Sequence, residues 1–135
     1  MIHGYADDQY RKSQVMTAGR ARLLLMTYDG GLRFLRQAIR AMEEKSLEEQ
    51  HTNITKAQGI VLELLNSLDH SANKQIAASL DSLYRYIYDR LTEANVNDNT
   101  EALREAEMLF SRLRETWVEA EARLSQGDGN FAQEG

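Results

Sequence analysis

Apolar residues recur along this chain at alternating steps of four and three, the spacing that puts side chains on one face of an α-helix. The first such stripe is Leu24, Tyr28, Gly31, Leu35, Ala38 and Met42, widened by Leu25, Leu32 and Ile39. It predicts a helix from about Gly19 to Glu44, with Thr17 as N-cap. A second stripe, Ile54, Ala57, Val61, Leu64 and Leu68, predicts a helix over 47–68. Ser46 followed by Glu49 reads as a capping box at its start, hydroxyl and carboxylate each meeting a backbone N–H. A third helix is expected over 72–94, with Ile76, Leu80, Leu83, Ile87 and Ala94 toward the core and Asp69 or Ser71 as cap. Asn95, Asn97 and Asn99 crowd the next turn, where asparagine tolerates left-handed backbone and caps helices well. The fourth stripe is the cleanest: Leu103, Ala106, Phe110, Leu113, Trp117, Ala120 and Leu124, with Gly127 just past its expected end.

Turns this short force consecutive helices antiparallel, and stripes of this period favour the shallow crossing of bundles. The predicted fold is an all-α, up-down-up-down four-helix bundle over 17–125. Residues 1–16, which hold no sustained stripe, are expected to form an N-terminal arm or lid, and 126–135 a flexible tail. Gly30 and Gly31 inside the first helix each cost about 1 kcal/mol relative to alanine, tolerable where a neighbour must come close. The third helix carries a second line beside its expected core, Ala77, Tyr84, Tyr88, Leu91 and Asn95, and the second helix adds Ile60, Leu62 and Leu65. Such breadth suits either a wide core face or a groove for a partner's amphipathic helix.

Composition narrows the picture. Proline is absent, in keeping with uninterrupted helices, and cysteine is absent, which excludes disulfides, thiol nucleophiles and thiolate metal sites. No apolar run is long enough to span a bilayer, so a soluble cytoplasmic protein is expected. The net charge of −5 hides an asymmetry, with seven basic against three acidic residues up to Met42 and an acidic remainder. Arg33, Arg36 and Arg40 form one basic stripe, read as a solvated face or a dock for an acidic protein. The acidic remainder argues against nucleic acid as partner.

Catalytic and metal chemistry find little support. Glu48-Glu49-Gln50-His51 supplies one Glu-x-x-His, but a di-iron bundle needs two. A histidine phosphotransfer bundle would use His51, yet Lys56 and Gly59 stand at the wrong offsets. His3 and His70 lie in the arm and a turn. No enzyme, cofactor or metal is expected; a phosphotransfer or metal-binding bundle, or a helical adaptor for another client, is the alternative.

Several longer motifs, in order, resemble one family. Gln9-Tyr10 through Val15-Met16-Thr17-Ala18, then Leu24-Leu25-Met26-Thr27-Tyr28-Asp29-Gly30 and Phe34-Leu35, are similar to the opening of the FliS family of flagellin-specific export chaperones. Lys56-Ala57-Gln58, Leu64-Leu65-Asn66-Ser67-Leu68, the run from Leu83 to Asn95, and Arg114-Glu115-Thr116-Trp117 continue the likeness. Gly19-Arg20 and Thr27 depart from the family's usual residues. The resemblance implies a cytoplasmic chaperone that binds the disordered C-terminal segment of flagellin, prevents early polymerisation, and delivers it to a component of the flagellar export gate. It implies a client groove, placed here on Tyr84, Tyr88, Leu91 and Asn95 of the third helix and Ala57, Gln58 and Leu65 of the second. Tyr10 with Val15 is expected as a lid. No direct membrane insertion is expected, and an empty groove would allow a monomer or a weak homodimer.

Overall fold

A computed structural model describes the backbone of residues 2–134 and the side chains of residues 19–123. The helices are α1 (Ile2–Glu43), α2 (Leu47–Asn66), α3 (Lys74–Asn97) and α4 (Thr100–Glu134), and no strand occurs among the described residues. Thr17 and Gly127, expected at helix boundaries, fall within the spans of α1 and α4. The lid residues Tyr10 and Val15 lie outside the residues whose side chains are described.

At one end of the bundle both turns close on a left-handed residue. Lys45 (φ 59) follows α1, with Ser46 N–H donating to Ala41 O at 2.8 Å and Lys45 N–H to Met42 O at 3.2 Å. This paired arrangement satisfies the last carbonyls of the helix. Ser46 is the N-cap of α2, but its side chain makes no capping bond. Its own N–H is already taken by Ala41, so the expected reciprocal bond from Glu49 has no orphan donor to meet. Asp98 (φ 51) closes α3, and Asn99 caps α4 by accepting from Ala102 N–H at 3.1 Å. Gln50, a buried polar residue of α2, donates to Asp98 Oδ1 at 2.8 Å and joins the two turns.

The opposite end differs from expectation. Asn73, not Asp69 or Ser71, caps α3 by accepting from Ile76 N–H at 3.1 Å. Asp69 instead folds the preceding turn, its carboxylate accepting from the hydroxyl and the N–H of Ser71. Those bonds hold its carboxyl below the ordinary range.

Each helix packs against two others, α1 and α3 each against α2 and α4, in a closed ring. The core runs through Tyr28, Leu35 and Ala38; Ile54, Ala57, Val61 and Leu64; Tyr84, Ile87, Leu91 and Ala94; and Leu103, Ala106 and Phe110. Three stripes therefore fall where the spacing puts them. In α3 the face is turned: Ala77, Tyr84 and Leu91 are buried, while Ile76, expected inside, is 56% exposed and Leu80 and Leu83 are half-buried. Tyrosine buries as core when its hydroxyl finds a partner, and Tyr84 finds one across the bundle.

Gly31 has the structural role expected of it. A Cβ there would stand 2.5 Å from Phe110 Cε1, so the absent side chain is what lets the ring enter. Cross-helix ion pairs, Arg36–Glu107, Arg104–Glu43 and Arg114–Asp29, mark the α1–α4 seam. Being exposed, each is worth well under about 1 kcal/mol, and they serve register more than stability. Arg36 of the basic stripe is thus paired within the fold, and Arg33 joins Lys56 over the Phe34 ring at 5.2 and 5.4 Å.

Candidate client-binding surface

An apolar cleft of about 270 Å³ opens at the end of the bundle marked by the α2–α3 turn. All four helices contribute: Leu24 from α1, Leu64 from α2, Ile76, Leu80 and Tyr84 from α3, and Trp117 from α4, with Leu68 and Ala72 from the turn. A second cleft of about 260 Å³, between Ala21, Leu25 and Ala120, shares Leu24 and Trp117 with the first. The two clefts adjoin at Leu24 and Trp117, where α1 and α4 meet. A separate groove of about 360 Å³ lies on the α2–α3 seam, lined by Val61, Leu62, Leu65, Arg85, Tyr88 and Asp89.

The expected site residues divide between this seam and the core. Leu65 and Tyr88 line the groove and are half-buried. Gln58 sits beside them, donating to Tyr88 O at 3.3 Å and Thr92 Oγ1 at 2.9 Å, so its amide ties α2 to α3. Asn95 bonds His51 Nδ1 at 2.8 Å further along the same seam. Ala57, Tyr84 and Leu91 belong to the core instead, at 1%, 2% and 0% exposure. The second line on α3 is therefore mostly core, and its accessible part is Tyr88 and Asn95. His51, the residue on which phosphotransfer or metal chemistry would rest, is engaged by Asn95, and among the described residues no three His, Asp or Glu side chains cluster as a metal site. Within the same residues no helix is long and apolar enough to cross a membrane.

Behind the cleft lies a hydrogen-bonded chain of aromatic side chains. Trp117 Nε1–H donates to Tyr28 Oη at 3.1 Å, and the Tyr28 and Tyr84 hydroxyls meet at 2.5 Å across the bundle axis. Burial pushes the Tyr28 hydroxyl far above the usual phenol range, with the bond to Tyr84 adding to the shift, and burial raises Tyr84 too. The sign follows directly. The folded protein keeps both phenols neutral, while the unfolded chain ionises them near pH 10. Their contribution to stability is complete below pH 10 and is lost as pH rises through the raised folded values. The urea midpoint is expected to fall above about pH 10, and Tyr28→Phe to make that fall shallower. Identical pH profiles for the two proteins would show that Tyr28 is not the group responsible.

Sequence reasoning missed the cleft, because Leu24, Ile76, Leu80 and Trp117 all lie on stripes that read as core. A lone tryptophan near the end of the last stripe, level with a turn, was the available signal: a ring that size is rarely enclosed where neighbouring helices stop.

Comparison with known proteins bears on these features. A family profile described as "Flagellar protein FliS" matches residues 1–124. The flagellar secretion chaperone FliS of Bacillus subtilis (strain 168) is 35% identical over 126 residues, covering 91% of this chain and 93% of that protein. The flagellar secretion chaperone FliSB of Pseudomonas aeruginosa is 37% identical over 106 residues, covering 78% and 84% of the two chains. The flagellar secretion chaperone FliS of Escherichia coli (strain K12) is 30% identical over 110 residues, with 81% of each chain covered. With likeness on this scale running through all four helices, the chain belongs to the FliS family.

Proposed function

We propose that this protein is a non-enzymatic flagellar export chaperone whose client is the C-terminal segment of flagellin. The observation that carries the reading is a set of surface clefts, two largely apolar ones that adjoin at Leu24 and Trp117 and a groove of mixed character on the α2–α3 seam, on a bundle whose relatives are flagellar secretion chaperones. A disordered amphipathic segment gains from such surfaces by folding as it binds, burying apolar side chains against the entropy of being ordered. Held in that way in the cytoplasm, the segment is withheld from polymerisation until a component of the export gate receives it. Gln58, Leu65, Tyr88 and Asn95 offer the contact on the α2–α3 seam, with Ala57, Tyr84 and Leu91 supporting it from beneath. Tyr10 and Val15 act as a lid that the client displaces.

Calorimetry with whole flagellin and with flagellin lacking its last 40 or so residues, a length able to fold along the bundle, tests the reading. Binding only to the whole protein is expected; equal binding to both would remove the C-terminal segment as the client. Tyr88→Glu is expected to weaken binding at least about tenfold while leaving the bundle folded, since it replaces an aromatic ring by a carboxylate at a half-buried position in the groove that Leu62 and Leu65 line. Unchanged affinity in that variant moves the client off the α2–α3 seam.

A further inference from the structure

Trp117 and Leu24 line both of the adjoining clefts, so where the indole sits sets the shape of each. Trp117 is half-buried, and partial packing alone does not confine a side chain to one rotamer. Here a bond holds it: the indole Nε1–H donates to Tyr28 Oη at 3.1 Å. Tyr28 cannot follow a moving indole. It is at 0% exposure, its ring is tilted against Phe110 with centroids 4.8 Å apart, and its hydroxyl meets that of Tyr84 at 2.5 Å. The indole on α4 is thereby tied to buried groups on α1 and α3. The ring of Tyr28 supplies the packing, and phenylalanine would supply as much with no hydroxyl to desolvate. What tyrosine adds is an oxygen that meets an N–H from α4 and a hydroxyl from α3.

We infer that Tyr28 is a positioning residue for client binding: its hydroxyl holds the Trp117 indole in one orientation, so that both clefts are already shaped when the client segment arrives. This rests on the chaperone reading and deepens it. A client that met a mobile indole would have to order it on binding, and each side chain ordered in that way weakens association. Tyr28 is enclosed by the bundle and touches no client itself. Its influence passes through Trp117.

The chain has a single tryptophan, so the full-length protein gives one indole N–H signal in a nitrogen-edited NMR spectrum. Its exchange with solvent is expected to be slow in the wild type and clearly faster in Tyr28→Phe. In calorimetry with whole flagellin, Tyr28→Phe is expected to weaken binding about threefold to tenfold, the effect of having one more side chain to order. In a Trp117→Phe background, where no indole N–H remains to be held, the same change is expected to leave the affinity unaltered. Should Tyr28→Phe alone unfold the bundle by stranding the Tyr84 hydroxyl, Tyr28→Phe/Tyr84→Phe, which strands no phenol, takes its place in each comparison. A merely structural role for Tyr28 weakens binding equally with and without the indole. That result, unchanged indole exchange or unchanged affinity overturns the inference while leaving the chaperone reading in place. No binding to the wild type overturns both.

Discussion

Phe110→Ala is expected to destabilise the bundle by about 3–5 kcal/mol, the range for removing a fully buried aromatic side chain. The ring is at 0% exposure, is tilted against Tyr28 with centroids 4.8 Å apart, and rests on the bare backbone of Gly31. Its removal forfeits both the transfer of the ring from water and the contacts of its neighbours, because helices held by short turns at one end cannot collapse into the space. For a domain of this size that is a large share of the whole stability. Urea unfolding followed by circular dichroism measures it. A loss below about 1 kcal/mol would mean that the site closes up freely, and that the ring is not the packing centre assigned to it.

Gly31→Ala is expected to cost about 1–2 kcal/mol, although the same change in a free helix gains about 1 kcal/mol. The new methyl would meet Phe110 Cε1 at 2.5 Å, Phe110 Cζ at 2.8 Å and Ile60 Cγ2 at 3.3 Å. A flexible surface side chain would swing aside, but this ring is enclosed and backed by Tyr28. The helix must shift or the ring must leave its rotamer. Phe110→Leu, which withdraws the ring edge, is expected to offset much of the cost, so the double variant should lose less than the sum of the two single losses. If Gly31→Ala alone proves stabilising, helix propensity outweighs the contact and the glycine is there for another reason.

These two positions also show how far the sequence could be read. The stripe through Gly31 and the one through Phe110 were each visible as spacing, and Gly31 was legible as a place of close approach. Which residue came close was not, because that depends on how two helices are rotated against each other. The same limit explains α3. A helix with apolar residues on more than one line does not say which line faces inward, and the choice was settled by the hydroxyl of Tyr84 meeting that of Tyr28, 56 residues away. Ile76, on the other line, lines the cleft and is 56% exposed. The turns show a smaller version of the effect. Ser46 stands at the N-cap as its motif suggests, yet its side chain is idle because the end of α1 had already used its N–H. Of the residues proposed to meet the client, Leu65, Tyr88, Gln58 and Asn95 were legible as one seam because they share adjoining helix faces. The cleft was not, because each of its residues is ordinary on its own helix and only the meeting of four helices at the α2–α3 turn makes a cavity of them.

The ring of helices bears on how the chain assembles. Three of its four interfaces join helices that follow one another in sequence, and only the α1–α4 seam, whose ion pairs link residues 61 to 85 positions apart, requires a long loop to close. Closure entropy rises slowly with length, by about 0.6 kcal/mol per doubling, so closing this seam costs little more than closing a hairpin. A topology so rich in neighbouring contacts favours folding in milliseconds or faster. Leu24 and Trp117 come from the two helices furthest apart along the chain, so the cleft is complete only where that seam is closed, and a chain with the seam open lacks it.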